Sequence, residues 1–357
     1  MEEKELYIIK IGTNALIKED GSIRDFVLSE IFLVTKKLIN AGNNVVIITS
    51  GAVRMGRNFL NNEDISKPVA AGVGQPLLFN FYKEEASKNN LKLAELLLTR
   101  SSIIKRDSLF LLQKVFHEIY SSDIIPIVNE NDAFSYGTDL SFGDNDGLAS
   151  VLAVILKAKK LIIISNIDGL FDSDPSKNKN AKLIKDVTNV SDEFLKFCSN
   201  NASANGSGGM FSKLKAARIC SAVGIDTYVI NGLVNNNLIS LFEEKNVGTH
   251  IHGRNVHSKI SNKDRWILAA KSSSGSIQID SGAVAALMKG KSLLAVGVKK
   301  VYGEFSKNEV IELINEKKSS IAFGIVDIAK DDIELILKTR NTHDQRIIHA
   351  NNLFILK

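Results

Sequence analysis

The residues of this 357-residue chain best suited to chemistry are short carboxylates and amides gathered beside glycines, together with two lysines placed in glycine-bearing loops. Gly143-Asp144-Asn145-Asp146-Gly147 precedes the apolar run Leu148 to Leu156, so its polar side chains fall at a helix start, where unpaired backbone N–H groups can grip a polar ligand. A second cluster, Asn129-Glu130-Asn131-Asp132, follows the apolar run Ile124 to Val128. Each stretch alone also reads as a solvated turn with an Asp or Asn cap. Together they hold more short polar groups than a core would bury without partners.

Three glycine-bearing loops add to this set. Lys10-Ile11-Gly12-Thr13-Asn14 closes the strand-like run Leu6 to Ile11, and Ser50-Gly51-Ala52 follows the run Val45 to Thr49. Gly206-Ser207-Gly208-Gly209-Met210-Phe211-Ser212-Lys213 precedes the helical run Leu214 to Val223. Small residues after a parallel strand let backbone amides approach phosphate or carboxylate oxygens, and Lys10 and Lys213 add point charges. None of these loops follows the GxxxxGK[ST] or GxGxxG patterns. Lys10 inside an apolar strand is awkward as a surface residue, whereas Lys213 also reads as an ordinary helix-surface lysine.

The elements that would position these groups alternate. Phe26 to Leu38 has helical period, and Leu91 to Leu98, Ile124 to Val128, Leu161 to Ser165 and Asp226 to Ile230 read as strands. Such alternation predicts a mainly parallel sheet covered on both faces, with ligands bound beyond the carboxyl ends of its strands. From Lys259 to Ser274 the pattern breaks. The units then shorten, with strands around Ile277 to Ile279, Leu293 to Val298, Val310 to Ile314, Ser320 to Ile328 and Ile347 to Ile355 and a small helix over Gly282 to Met288. The expected division is an α/β domain over 1–258, a linker over 259–274 and a small, mostly β domain over 275–357.

Composition restricts the class. No apolar run approaches the roughly 20 residues that span a bilayer, and Met1 to Lys10 lacks the pattern of a secretory leader, so a cytoplasmic protein without membrane association is expected. Cys198 and Cys220 are the only cysteines and read as buried thiols rather than a disulfide or zinc site. His250 and His252 have the spacing of a metal pair, but no third ligand stands near them in sequence, so no metal site is assigned. Residues 1–258 carry 29 basic against 29 acidic side chains, and residues 259–357 carry 16 against 11, which places the net charge of +5 in the C-terminal part. That excess lacks the dense basic clusters and interleaved aromatics of an RNA groove, so RNA binding is not expected.

The motifs themselves carry a resemblance. Ile9-Lys10-Ile11-Gly12-Thr13, Ile47 to Gly56, Ala71-Gly72-Val73-Gly74-Gln75, Leu97-Leu98-Thr99-Arg100, Pro126 to Asp132, Gly143 to Leu148, Gly169 to Pro175 and Gly206 to Lys213 resemble the amino-acid kinase family, in its glutamate 5-kinase branch. The similarity runs over essentially the whole chain. Gly275 to Asp327 resembles a PUA domain, a fold that binds RNA in modification enzymes. The resemblance implies a three-layer α/β sandwich, ATP and L-glutamate as substrates, and phosphorylation of glutamate's γ-carboxylate as the first step of proline synthesis. It also implies that Lys10 and Lys213 contact the transferring phosphoryl group. Asp146 between two ammonium groups would keep them charged and oriented, while the amides of Gly12 and Gly51 shield phosphate oxygens. The acceptor carboxylate is ionised at pH 7, so the reaction needs charge neutralisation and alignment rather than a strong base.

The same resemblance assigns Ser50, Gly51, Asp132 and Asn145 to glutamate, with Asn129 as a loop-fixing residue that also reaches the substrate. Asp132 suits the α-ammonium, and Ser50 or Asn145 can donate to carboxylate oxygens. Lys10, Gly12, Ser165, Asn166, Ser207, Gly208, Gly209, Met210, Phe211, Ser212 and Lys213 fall to ATP. Asn166 stands where the family has an acid, and Arg54 where it has a small residue. Mg²⁺ is expected to arrive mainly on the phosphates of ATP. Feedback inhibition by proline and a homo-oligomeric state complete the expectations. The alternatives are a sister enzyme acting on aspartate, N-acetylglutamate or UMP, and an RNA-binding or amino-acid-sensing protein on an inactive kinase fold. A blocked amine would offer Asp132 no cation, which argues against N-acetylglutamate.

Overall fold

Continuous apolar runs become buried strands. The computed structural model describes residues 4–135, 141–173, 175, 178–190, 194–195, 209–255, 260–270, 275–339 and 345–356. The chain divides into two compact units, Met1–Val256 and His257–Lys357.

The first unit is built on an eight-stranded sheet. Its strands are β1 (Leu6–Ile11), β2 (Asn44–Ile48), β3 (Lys92–Leu98), β4 (Ile124–Glu130), β5 (Lys160–Ser165), β6 (Asp186–Val187), β7 (Asp226–Asn231) and β8 (Thr249–Ile251). Their spatial order is β3-β4-β2-β1-β5-β7-β8-β6. All neighbours pair in parallel except β7 and β8. The central strand β1 is buried along its whole length, as expected where helices cover both faces. Strand alternation then assigns sides. Tyr7, Ile9 and Ile11 join one core cluster with Phe32 and Leu38 of helix α1 (Asp25–Asn40) and with Leu78 and Tyr82 of α3 (Lys67–Lys88). Lys10 therefore projects to the opposite face, where α5 (Asn145–Leu156) packs on β1 and α6 (Met210–Ser221) packs on α5 and β7. Because four parallel strands end together, Gly12, Ser50-Gly51, Asp132 and Ser165-Asn166 all lie along one rim of the sheet, as the sequence pattern predicts.

Two glycines of the motifs serve helix packing. A Cβ at Gly56, in α2 (Ala52–Leu60), would sit 1.8 Å from the Ala70 carbonyl oxygen, and one at Gly74, in α3, would sit 1.9 Å from that of Ala52. Only hydrogen at these positions lets α2 and α3 cross backbone to backbone. That crossing sets the loop carrying Ser50 and Gly51 beside Gln75.

The second unit has a five-stranded sheet formed by β9 (Gly275–Ile279), β10 (Val298–Gly303), β11 (Val310–Ile314), β12 (Ser320–Ile325) and β13 (Leu353–Ile355), in the order β10-β9-β11-β12-β13. Its own core includes Ile277, Leu287, Ile311, Leu313 and Ile347. The expectation of a linker over 259–274 requires correction. Within it, Asn262–Ala270 forms a helix whose Ile267, Leu268, Ala269 and Ala270 are buried, and which packs on β12 and β13. Its polar first turn masks an apolar last turn, which is why the stretch reads as a break. A further helix, Lys330–Thr339, lies between β12 and β13 where no element was expected. Among the described residues, no helix is long and apolar enough to cross a membrane.

Candidate active site

Three charges from three elements meet at the rim. Asp146, in the first turn of α5, is fully buried; its carboxylate lies 2.7 Å from the Lys10 ammonium and 3.2 Å from that of Lys213. Lys10 comes from the end of β1 and Lys213 from the first turn of α6, and both are buried. The Ser212 hydroxyl stands 2.7 Å from the same carboxylate and 2.8 Å from the Gly209 carbonyl. Burial alone would raise the Asp146 carboxyl, but the Lys10 and Lys213 ammonium groups outweigh it and hold the group at about 2. Burial, partly offset by Asp146, lowers Lys213. Two cations thus face one fully buried carboxylate, with Asp144 as a second acid close to them, and this concentration of ammonium charge in a desolvated place suits a multiply charged oxyanion. Asp144 caps α5 by accepting the Gly147 N–H at 2.6 Å. Its own carboxyl is raised by burial and by the neighbouring Asp146.

A chain of amides runs beside this triad. Asn145 Nδ2 donates to the Thr49 carbonyl at 2.8 Å and to Asn129 Oδ1 at 2.9 Å. Asn129 Nδ2 donates to Gln75 Oε1 at 2.7 Å, and Gln75 Nε2 donates to Glu95 at 2.7 Å. The polarity of this chain is fixed at both ends, because a backbone carbonyl and a carboxylate can only accept. Two consequences differ from the sequence expectation. Both Asn145 N–H groups are spent inside the protein, so it presents an acceptor rather than a donor to the rim. Asn129 is only 1% exposed and holds Asn145 in place instead of reaching outward. Gln75 and Glu95 anchor this chain and were not singled out as site residues, although Gln75 ends one of the motifs.

Ser50 is likewise committed, its hydroxyl donating to the Ile11 carbonyl at 2.7 Å, so it too offers the rim an acceptor. Gly51 takes φ +109, and a Cβ there would lie 2.5 Å from Ile17 Cδ1, so both conformation and space require glycine. Asp132, at the start of a short helical turn, is pushed up to about 6 by burial first and by the nearby Glu130 second, against the pull of Lys67. A carboxylate so placed gains from a bound cation.

The nucleotide-side loops are described in part. The Gly12 N–H donates to the Ile164 carbonyl at 2.9 Å, so this amide is not free for phosphate, contrary to the expectation. A Cβ at Gly12 would lie 3.8 Å from the Lys10 ammonium, an ordinary contact, so this residue stands directly beside Lys10. Ser165 ends β5 and is buried, while Asn166 beside it is exposed. Gly209, Met210 and Phe211 start α6, with the Lys215 ammonium 4.5 Å from the Phe211 ring centroid. Ser207 and Gly208 lie outside the described residues, as does Cys198. Burial pushes the Cys220 thiol up to about 12, which leaves it a packing group.

A mainly parallel sheet with a buried Lys-Asp-Lys cluster at its carboxyl rim can accept a multiply charged oxyanion. Residues 5–231 match the model of the amino acid kinase family, and residues 275–345 match that of the PUA domain. The chain belongs to the amino acid kinase family. Its relatives there include a glutamate 5-kinase of Pelagibacter ubique, 35% identical over 94% of this chain and 92% of that protein. One from Prochlorococcus marinus subsp. pastoris is 34% identical over 98% of this chain and 99% of its own, and one from Salmonella arizonae is 33% identical over 97% and 94%. A carbamate kinase from Giardia lamblia bound to AMP-PNP shares the fold, with a TM-score of 0.51 at 18% identity over 71% of this chain and all of that chain.

Proposed function

We propose that the protein transfers the γ-phosphoryl group of ATP to the γ-carboxylate of L-glutamate, giving L-glutamyl 5-phosphate and ADP, the first step of proline synthesis. The observation that carries this reading is Asp146 held between Lys10 and Lys213 at the sheet rim, in a chain that resembles glutamate 5-kinases from end to end. A glutamate carboxylate oxygen forms the new bond to phosphorus, and the bridging oxygen of ADP leaves with the electron pair of the bond that breaks. No proton moves. Lys10 and Lys213 face the charge on the transferring phosphoryl oxygens, and Asp146 keeps both ammonium groups fixed and charged. Because Asp146 is committed to them, Mg²⁺ travels mainly on the phosphates of ATP.

The acceptors supplied by Asp132, Asn145 and Ser50 suit the α-ammonium end of glutamate. Asn129, Gln75 and Glu95 hold that end in shape from behind. ATP then occupies the rim near Ser165, Asn166 and the start of α6, Gly209 to Lys213.

The test is a substrate panel with hydroxylamine as trap. L-Glutamate with ATP should give hydroxamate, aspartate and N-acetylglutamate should give little, and UMP, followed by ADP release because UDP forms no hydroxamate, should give little turnover. Hydroxamate formed faster with aspartate than with glutamate would overturn the assignment of the substrate.

A further inference from the structure

We propose that Asp186, His250 and His252 form a binding site for a divalent transition-metal ion of zinc's class at the edge of the large sheet, apart from the rim where phosphoryl transfer is placed. The three donor atoms come from two neighbouring strands and the residue that follows one of them. His250 on β8 stands opposite Asp186 on the edge strand β6 and opposite Tyr228 on β7. His252, two residues on, returns to the same face as His250. One donor atom from each of Asp186, His250 and His252 lies within 4.8 Å of the others. Asp186 Oδ1 is 3.0 Å from His252 Nε2 and 4.0 Å from His250 Nδ1, and the imidazole centroids are 3.8 Å apart. A tetrahedral zinc ion with bonds near 2 Å sets its donors roughly 3.4 Å apart, so side-chain shifts of less than about 1 Å complete the set.

The surroundings prepare His250 as a ligand. Asp226 Oδ1 lies 3.1 Å from His250 Nε2 and also accepts the Gly253 N–H at 2.8 Å. Its carboxylate thereby favours the proton on Nε2 and leaves the Nδ1 lone pair turned toward Asp186. This is the carboxylate–imidazole–metal arrangement of zinc proteins. Tyr228 stacks on the His250 ring at 4.3 Å and 10°, which fixes its plane. Two carboxylates beside two imidazoles attract a cation, and a nitrogen-rich set selects zinc over magnesium. The cluster is partly exposed, so an ion can reach it and water can fill the fourth position. The site lies toward the amino end of β7, whereas the catalytic loops follow the carboxyl ends of the parallel strands. A bound ion would clamp β6, a strand of two residues with little backbone pairing of its own, to β8.

The experiment uses full-length, tag-free protein stripped with chelator and titrated with Zn²⁺ by calorimetry, with thermal melts in parallel. The expected result is one saturable equivalent per chain, a higher Tm with Zn²⁺, and no competition from Mg²⁺. Asp186→Asn and His252→Ala should each abolish that equivalent without lowering hydroxamate formation. Asp226→Asn should weaken it on the order of 10- to 100-fold. Asp186 is exposed, so its variant tests the site even if His252→Ala folds poorly. The proposal is overturned if wild-type protein shows no saturable Zn²⁺ binding, or if Asp186→Asn binds Zn²⁺ as tightly as wild type.

Discussion

At the scale of single residues, position and charge state decide the chemistry. Lys10 keeps its ammonium beside Asp146 in a buried place, so its charge is worth most when phosphoryl charge is redistributed. Lys10→Ala should lower kcat about several hundredfold while leaving glutamate's KM nearly unchanged, as steady-state kinetics would show. Near-normal turnover would remove Lys10 from the mechanism. Asp132 has the opposite character, being a carboxylate whose burial and acidic neighbour favour the protonated form below about pH 6. Only its ionised form pairs with an ammonium. Glutamate affinity should therefore be full above that value and fall as pH drops through it, by about tenfold per unit once Asp132 is protonated. Asp132→Asn should weaken glutamate binding by about 2 to 4 kcal/mol and flatten this dependence, with ATP affinity little changed. A rise in KM for ATP alone would reverse the two ends of the cleft. Lys10 stood out in the sequence because a charge inside an apolar strand needs a reason, whereas Lys213 also read as a helix-surface lysine and was joined to Lys10 and Asp146 only through the resemblance. The direction of the hydrogen bonds was not legible. Asn145 and Ser50 looked like donors until Thr49, Asn129 and Ile11 were seen to take their protons, and those partners come from other elements.

Elements account for how these groups hold their places. The strands β1, β4 and β5 follow directly from apolar runs, since a parallel strand buried on both faces leaves little room for polar side chains. Helix α3 escaped such a reading. It contains Gly72, Gly74 and Pro76 within five residues, and its apolar residues do not gather on one stripe. Gly74 is there for the crossing with α2, a relation between distant segments that no local pattern carries. Gly74→Ala should cost about 1 to 3 kcal/mol in stability by overpacking that crossing, measured by denaturant unfolding. Because Gln75 follows directly, glutamate's KM should rise as well. Unchanged stability would mean that α2 and α3 can part without consequence, which contradicts the close approach of their backbones.

For the whole molecule, the two units have separate cores, and every residue assigned to chemistry lies in the first. The Giardia carbamate kinase matches over its entire length, so this fold stands without an appended domain in that protein. A chain ending near Arg254 should keep kinase activity. Loss of activity in a truncated protein that still gives the circular dichroism of the folded unit would show that the C-terminal part helps build the site. The change from one domain type to the other was evident in the sequence from the shortening of its units. Its boundary was blurred because Asn262–Ala270 hides an apolar last turn behind Asn262, Lys263, Asp264 and Arg265.

In the proposed reaction glutamate's γ-carboxylate attacks the γ-phosphorus directly, with the triad supplying charge and alignment. Glutamate labelled with ¹⁸O in both γ-carboxylate oxygens tests this most directly, with hydroxylamine cleaving the acyl phosphate at carbon and the released phosphate read by ³¹P NMR. One ¹⁸O atom should appear in each phosphate released, and Lys10→Ala should slow its appearance in step with kcat. Phosphate released without label would mean that water, not glutamate, receives the phosphoryl group, and would contradict the central claim.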